Sequence, residues 1–233
     1  MALPIITPDN FTGWVKIVAN SFKQEDLQFY INLFLEQYLR LIVGDAAYSD
    51  IENQTRQKWD DLVNGVDFVD AEGKRRRQRG FVDSLIYFIY FEYLRDNFNP
   101  TQPGQAKPVA ENSERASDLE TLNVARSRYN KAVELINVST PDFLEANKKL
   151  ETEVTTSTDN ADNTYTLAVP STKYLEAGDT IVINGIEYQP ISVTADTSIV
   201  IDAGQVGLDF TGDTITWEPY KDVEFCPLEF AGI

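Results

Sequence analysis

The chain has 233 residues and a mass of 26.3 kDa, which is enough to bury a hydrophobic core without disulfides or metals. Its hydrophobic fraction of 42% and charged fraction of 24% are ordinary for globular proteins and argue against a disordered or fibrous chain. The longest apolar run, Leu85 to Phe91, is far shorter than the roughly 20 residues that cross a membrane. The first ten residues lack the cationic and apolar segments of a secretory signal. We therefore expect no membrane association and a chain that is made in the cytoplasm and is not secreted.

The residue types that the sequence lacks exclude most enzyme chemistry. The chain has no histidine and a single cysteine, Cys226, so it forms no Ser-His-Asp triad, no imidazole metal site and no intrachain disulfide. The segment from Asp159 to Asn163 offers oxygen ligands, but a calcium loop counted from Asp159 would end on Pro170 instead of glutamate. No glycine-rich phosphate loop is present. We predict a protein that is not an enzyme, with no catalytic residue, metal or cofactor.

Helical periodicity dominates the first 150 residues. Apolar residues recur at spacings of three and four from Gln24 to Val43, and Gly44 stands where helices often end in a left-handed residue. A second helix is predicted from about Asn53 to Asn64, with Gly65 ending it. A third, from about Phe81 to Asn97, is apolar around most of its circumference, which is typical of a helix in the middle of a bundle.

Two further helices are predicted before residue 150. Ser113 can cap a long helix that runs to about Asn137. Thr140 and Pro141 then predict a break, after which a short helix continues to about Leu150 with the proline in its first turn.

Downstream of Glu153 the apolar residues recur with period two, the pattern of β-strands. The segment from Thr180 to Ile191 is predicted to be a hairpin that turns at Asn184-Gly185, with its isoleucines and Tyr188 on one apolar side. Further strands are predicted at residues 165–169 and at several points between residues 193 and 217, including Leu208 and Phe210. The apolar segment from residue 223 onward is expected to be held, by its own domain or by a neighbouring molecule.

The change of pattern near residue 150 coincides with a change of charge. Residues 1–150 contain 18 Lys and Arg against 22 Asp and Glu, whereas residues 151–233 contain 2 against 15. We therefore predict an α+β protein with an N-terminal α-helical bundle, residues 1–152, followed by a small, acidic C-terminal antiparallel β sandwich or barrel, residues 153–233. A surface as acidic as the second domain repels nucleic acid.

The densest group of cations places five of them within six positions. They are Lys74, Arg75, Arg76, Arg77 and Arg79. Arginine binds phosphate or carboxylate through paired hydrogen bonds, so the cluster is a candidate contact either with carboxylates of a neighbouring subunit or with DNA. The third interpretation is a solvated loop before the third helix, partly neutralised by Asp67, Asp70 and Glu72 on the strand-like stretch that precedes it.

Part of the chain resembles the neck proteins of tailed bacteriophages. The resemblance is carried by the aromatic helix from Gly80 to Arg95, the loop from Thr101 to Gly104, the Glu111-Asn112-Ser113 segment and the long helix beyond it. Residues from about 20 to 150 are similar to a head-to-tail connector, or adaptor, subunit of crAss-like and related phages of Bacteroidetes. The family has no active site that could be carried over. The acidic β-rich segment from residue 151 onward departs from the family pattern.

The resemblance implies a homo-oligomeric ring, of twelve copies, beneath the portal protein of the virion. Such a ring lines the channel through which double-stranded DNA leaves the capsid and contacts neighbouring neck or tail proteins. An acidic lumen would let DNA slide, because each phosphate neutralised raises affinity. The cluster of residues 74–79 would then make a transient, non-specific contact with DNA or clamp the next subunit's carboxylates. The alternative is an adhesive or ligand-binding virion module whose β domain binds a partner protein or glycan.

Overall fold

The computed structural model describes residues 6–12, 24–53, 56–70, 72–97 and 118–231. It confirms the predicted α+β class, with helices first and antiparallel sheets after them. The helices of the described residues are α1 (Gln24–Val43), α2 (Asp45–Asn53), α3 (Gln57–Asn64), α4 (Val82–Asn97) and α5 (Asp118–Ala146). None of these described helices combines the length and the apolar character needed to cross a membrane.

Local signals predicted α1 and α4 almost to the residue. Gly44 takes a φ of +83° at the end of α1, as its position predicted. The predicted second helix is wrong in its start, because residues 45–53 form the separate helix α2, whose Tyr48 N–H donates to the Gly44 carbonyl.

Helix α5 contradicts the predicted break at Pro141. The helix continues through the proline to Ala146, although the missing N–H removes one helical hydrogen bond. The reason is packing beyond the break: the ring of the fully buried Phe143 contacts Phe68 and Tyr220 edge-on, with centroids 5.3 and 5.4 Å away. The predicted cap Ser113 and the segments 101–104 and 111–113 lie outside the described residues.

The C-terminal strands form a two-layered sandwich. They are β3 (Leu150–Glu153), β4 (Thr156–Asp159), β5 (Thr164–Ala168), β6 (Ile181–Ile183), β7 (Ile186–Tyr188), β8 (Pro190–Thr194), β9 (Ser198–Asp202) and β10 (Thr214–Trp217). Within residues 150–217, one antiparallel sheet has the order β3-β10-β6-β7 and the other the order β4-β5-β9-β8. Both sheets bury their inner faces in one apolar cluster.

The β6–β7 hairpin has the predicted register, with Ile183 opposite Ile186 across the turn. Asn184 and Gly185 take φ values of +52° and +81°, as a type I′ turn requires. Ile186 is 57% exposed, however, so the predicted apolar side is incomplete at this sheet edge. Leu208 and Phe210, predicted to lie in strands, lie between β9 and β10, where Phe210 fills the core without strand pairing.

The sandwich is tied to the helices by polar contacts. The guanidinium of Arg56, whose side chain is 12% exposed, pairs with Glu176 at 3.0 Å and with Asp179 at 2.8 Å. The Tyr174 hydroxyl donates to Asp61, and the Tyr220 hydroxyl donates to the Lys58 carbonyl. Tyr174 and Tyr220 also belong to the apolar core of the helical half.

Lys58 is buried at this junction, with 5% of its surface exposed. Burial lowers the pKa of its ammonium group, and Arg56 lowers that pKa further, against an opposing effect of Asp179. Because the folded-state pKa lies below the unfolded one, the stability cost of Lys58 is present below the folded pKa and disappears as pH rises toward about 10.4.

Replacing Lys58 by methionine is therefore expected to stabilise the protein by about 1 kcal/mol at pH 7 and to flatten the rise in stability with pH. Urea unfolding at pH 7 and at higher pH measures both effects. Lys221→Met is the control, since Lys221 lines the same 240 Å³ cavity but is exposed, and it should change stability by less than about 0.5 kcal/mol. A less stable Lys58→Met protein at pH 7 would show that the ammonium group is held by favourable contacts.

Candidate functional site

The five predicted site residues lie on a β-hairpin between α3 and α4. Its strands are β1 (Val66–Val69) and β2 (Arg75–Gln78). The interpretation of this cluster as a loop is therefore wrong, because residues 75–78 form a strand. Its expected exposure to solvent agrees with the structure, since Lys74 to Arg77 and Arg79 are all exposed.

Asp70 organises the tip of the hairpin. Its carboxylate accepts hydrogen bonds from the backbone N–H groups of Glu72 and Lys74 at 3.0 and 2.8 Å. Gly73 supplies a φ of +79°, a conformation that glycine adopts without a steric cost. The Lys74 ammonium pairs with Glu72 at 2.6 Å, but both side chains are two-thirds exposed, so this ion pair contributes little.

The pairing register separates the arginines onto two faces. Asp67 stands opposite Arg77, Phe68 opposite Arg76, and Val69 opposite Arg75. Because successive side chains of a strand point to opposite faces, Arg76 and Gln78 lie on the inner face with the buried Phe68. Arg75 and Arg77 lie on the outer face.

The inner face is fastened to α5. Gln78 is fully buried, its Oε1 accepts a hydrogen bond from the Ser139 hydroxyl at 2.7 Å, and its Nε2 contacts the Thr140 Oγ1 at 3.4 Å. Arg76 pairs with Asp142 at 2.9 Å and also with Asp70 at the tip. The hydrogen bond from Arg76 lowers the pKa of the Asp70 carboxyl below its ordinary value. Arg76 is therefore neutralised within its own subunit and positions the hairpin.

We call the three exposed arginines that make no ion pair with α5 the arginine row: Arg75, Arg77 and Arg79. They occupy alternate positions, so successive stems are about 6.6 Å apart along the extended backbone. Arg77 contacts Asp67 at 3.4 Å through two largely exposed side chains. Arg75 and Arg79 make no ion pair with any residue that the structure describes. Val69, 56% exposed, lies beside Arg75 on a shallow depression.

The C-terminal half of the chain has the opposite charge to the arginine row. Between Lys173 and Lys221 the sequence has eight carboxylates and no cation. Glu176 and Asp179 are used by Arg56, whereas Glu187, Asp196 and Asp202 are exposed. The one chain therefore carries a cationic surface on its helical half and an anionic surface on its sandwich.

The loop considered for calcium is organised by its own hydrogen bonds. Asp159 accepts the N–H groups of Gly207 and Ala161, which lower the pKa of its carboxyl, and Asp162 accepts bonds from Thr164. No cluster of three potential metal-ligating side chains occurs among the described residues.

The sequence patterns indicated a strand-like stretch around Asp67 and Asp70 but missed the second strand and its pairing into a hairpin. Three consecutive arginines hide the alternation of buried and exposed positions, because the whole stretch is polar. The available signal was the pair Gly65 and Gly80, which brackets the hairpin at its base.

The chemistry of the arginine row is that of anion recognition, since exposed guanidinium groups bind carboxylate or phosphate oxygens in pairs. Its inner anchoring holds the row at a defined place on the helical half. No protein-family model, curated protein or solved structure matches this chain.

Proposed function

We propose that this protein is a structural virion subunit that assembles head to tail into a connector ring between capsid and tail. The observation that carries the proposal is the arginine row, an anchored cationic surface on a chain whose sandwich is acidic. Two of its guanidinium groups, those of Arg75 and Arg79, make no ion pair with the described residues. Two different, complementary surfaces on one chain favour heterologous association, which generates a ring when the rotation closes.

The sequence resemblance supplies the place of this ring. A connector beneath the portal protein would surround the DNA channel and contact neighbouring neck or tail proteins, with twelve copies as the expected number. The arginine row then clamps carboxylates of the next subunit. Because the row would be occupied by that contact, contact with double-stranded DNA is transient and non-specific.

The assembly state of the full-length chain tests this function. Light scattering and negative-stain images are expected to give closed rings of about twelve copies at low salt. Raising the salt to about 1 M, where the Debye length falls to about 3 Å, should weaken them. A monomer or trimer that binds a glycan or another protein through its sandwich would overturn the connector and favour the adhesive module.

A further inference from the structure

The C-terminal tail, residues 223–231, lies across the helical half without forming a helix or strand. Its Glu224 N–H donates to the carbonyl of Val43 at 3.0 Å, and Leu228 is buried in the core of the helical half. The described hydrogen bonds that residues 224–231 make beyond the tail all go to α1 or α5. The tail is thus bound to the helices and connected to the sandwich through the chain before it.

Two asparagines of α5 hold the tail by its backbone. Asn137 accepts the Leu228 N–H at 3.1 Å and donates to the Leu228 carbonyl at 2.8 Å. Asn130 accepts the Ala231 N–H at 2.8 Å and donates to the Ala231 carbonyl at 3.3 Å. Each carboxamide satisfies both polar groups of one residue, as a neighbouring β-strand would.

The spacing of the two pairs follows from elementary geometry. Seven residues of helix rise about 10.5 Å, and three residues of extended chain span about 10 Å. Asparagines seven apart on α5 therefore meet every third residue of an extended peptide that runs antiparallel to the helix. The same interval places Asn123 one step further along α5. We call Asn130 and Asn137, the two steps that the tail occupies, the asparagine ladder.

The interval of seven residues continues past the tail to Asn123. Its side chain is exposed and makes no hydrogen bond to the residues that the structure describes. Together with Asn130, Tyr87 and Phe230 it lines a groove of about 660 Å³. Backbone recognition at the two occupied steps leaves the side chains of the bound peptide largely unselected, with Leu228 as the apolar anchor.

We propose that the asparagine ladder is a docking site for an extended peptide and that its partner is the tail of a second copy of this chain. The peptide whose fit is established is residues 228–231, and every copy carries it. Because the described hydrogen bonds of the tail all go to α1 or α5, a tail from a neighbour can make the same hydrogen bonds as the tail of the same chain. The exchange requires only that the chain change direction near residues 221–223. It needs two copies and does not depend on the proposed ring.

Complementation between two defective full-length variants tests this exchange. Leu228→Asp disables the tail and leaves the ladder, whereas the Asn130→Ala, Asn137→Ala double variant disables the ladder and leaves the tail. The tagged tail variant should retain about 10-fold more of the ladder variant than either variant retains of itself. The measurement is a pull-down at about 1 M salt, where contacts of the arginine row are screened.

The control adds Asn123→Ala to the tail variant, and retention should not change. Circular dichroism checks that each variant is folded. If Leu228→Asp does not fold, Ala231→Pro takes its place, because proline lacks the N–H that Asn130 accepts. Equal retention in all pairings of folded variants would overturn the exchange. If the unmodified chain forms rings but the two variants do not complement each other, the tail exchange is wrong and the connector proposal stands. If the variants complement each other but the unmodified chain forms no rings, the connector proposal is wrong and the tail exchange stands.

Discussion

Replacing Gly80 by alanine is expected to destabilise the folded protein by about 3 kcal/mol. Gly80 has a φ of +77°, which costs a residue with a Cβ about 1–2 kcal/mol. A Cβ at Gly80 would also overlap the Val63 carbonyl oxygen and lie 2.6 Å from the Asn64 carbonyl carbon. These are backbone atoms that cannot rotate away, so overpacking adds about 1–3 kcal/mol.

The matched control is Gly73→Ala at the tip of the same hairpin. Gly73 has nearly the same φ, +79°, but no atom of the described residues would lie within 4 Å of a Cβ at this position. Its replacement should therefore cost only the backbone strain, about 1 kcal/mol. Urea unfolding of the two variants measures the difference. Equal losses would mean that the chain does not cross itself closely at the hairpin base.

Reversing the arginine row is expected to abolish ring assembly. In the Arg75→Glu, Arg77→Glu, Arg79→Glu variant, each subunit would present carboxylates to the carboxylates of its neighbour. Like-charge juxtaposition across an interface costs several kcal/mol, so the concentration needed for assembly should rise about 100-fold or more. Arg76 is left unchanged because it anchors the hairpin through Asp70 and Asp142.

The control reverses three exposed lysines elsewhere, Lys148, Lys149 and Lys221, and lowers the net charge by the same amount. It should still form rings if the position of the arginines matters and total charge does not. Light scattering of both variants measures assembly, and titration with double-stranded DNA should show a smaller change than assembly does. Normal rings from the arginine variant would remove the clamp from the proposed function.

Features encoded by neighbouring residues could be predicted from the sequence. The bounds of α1 and the register of the β6–β7 hairpin both agree with the structure. Both depend on short-range information, namely the spacing of apolar side chains and the positive φ available to Asn184, Gly185 and Gly44. The α+β class follows from the same local periodicities.

Features that depend on packing could not be predicted. The break expected at Pro141 is absent because Phe143, two residues later, is buried against Phe68 and Tyr220. Proline weakens a helix locally, but contacts with residues distant in the chain outweigh that cost.

The sequence by itself determined the fold class, the missing imidazole chemistry and the position of a five-cation cluster. Only the tertiary structure decided that Arg76 is neutralised while Arg75 and Arg79 make no ion pair with the described residues, because identical side chains acquire different roles from what packs beneath them. It alone also formed the asparagine ladder's contacts. Asn137 and Leu228 are 91 positions apart, and Asn130 and Ala231 are 101 apart, so no local pattern encodes that they meet.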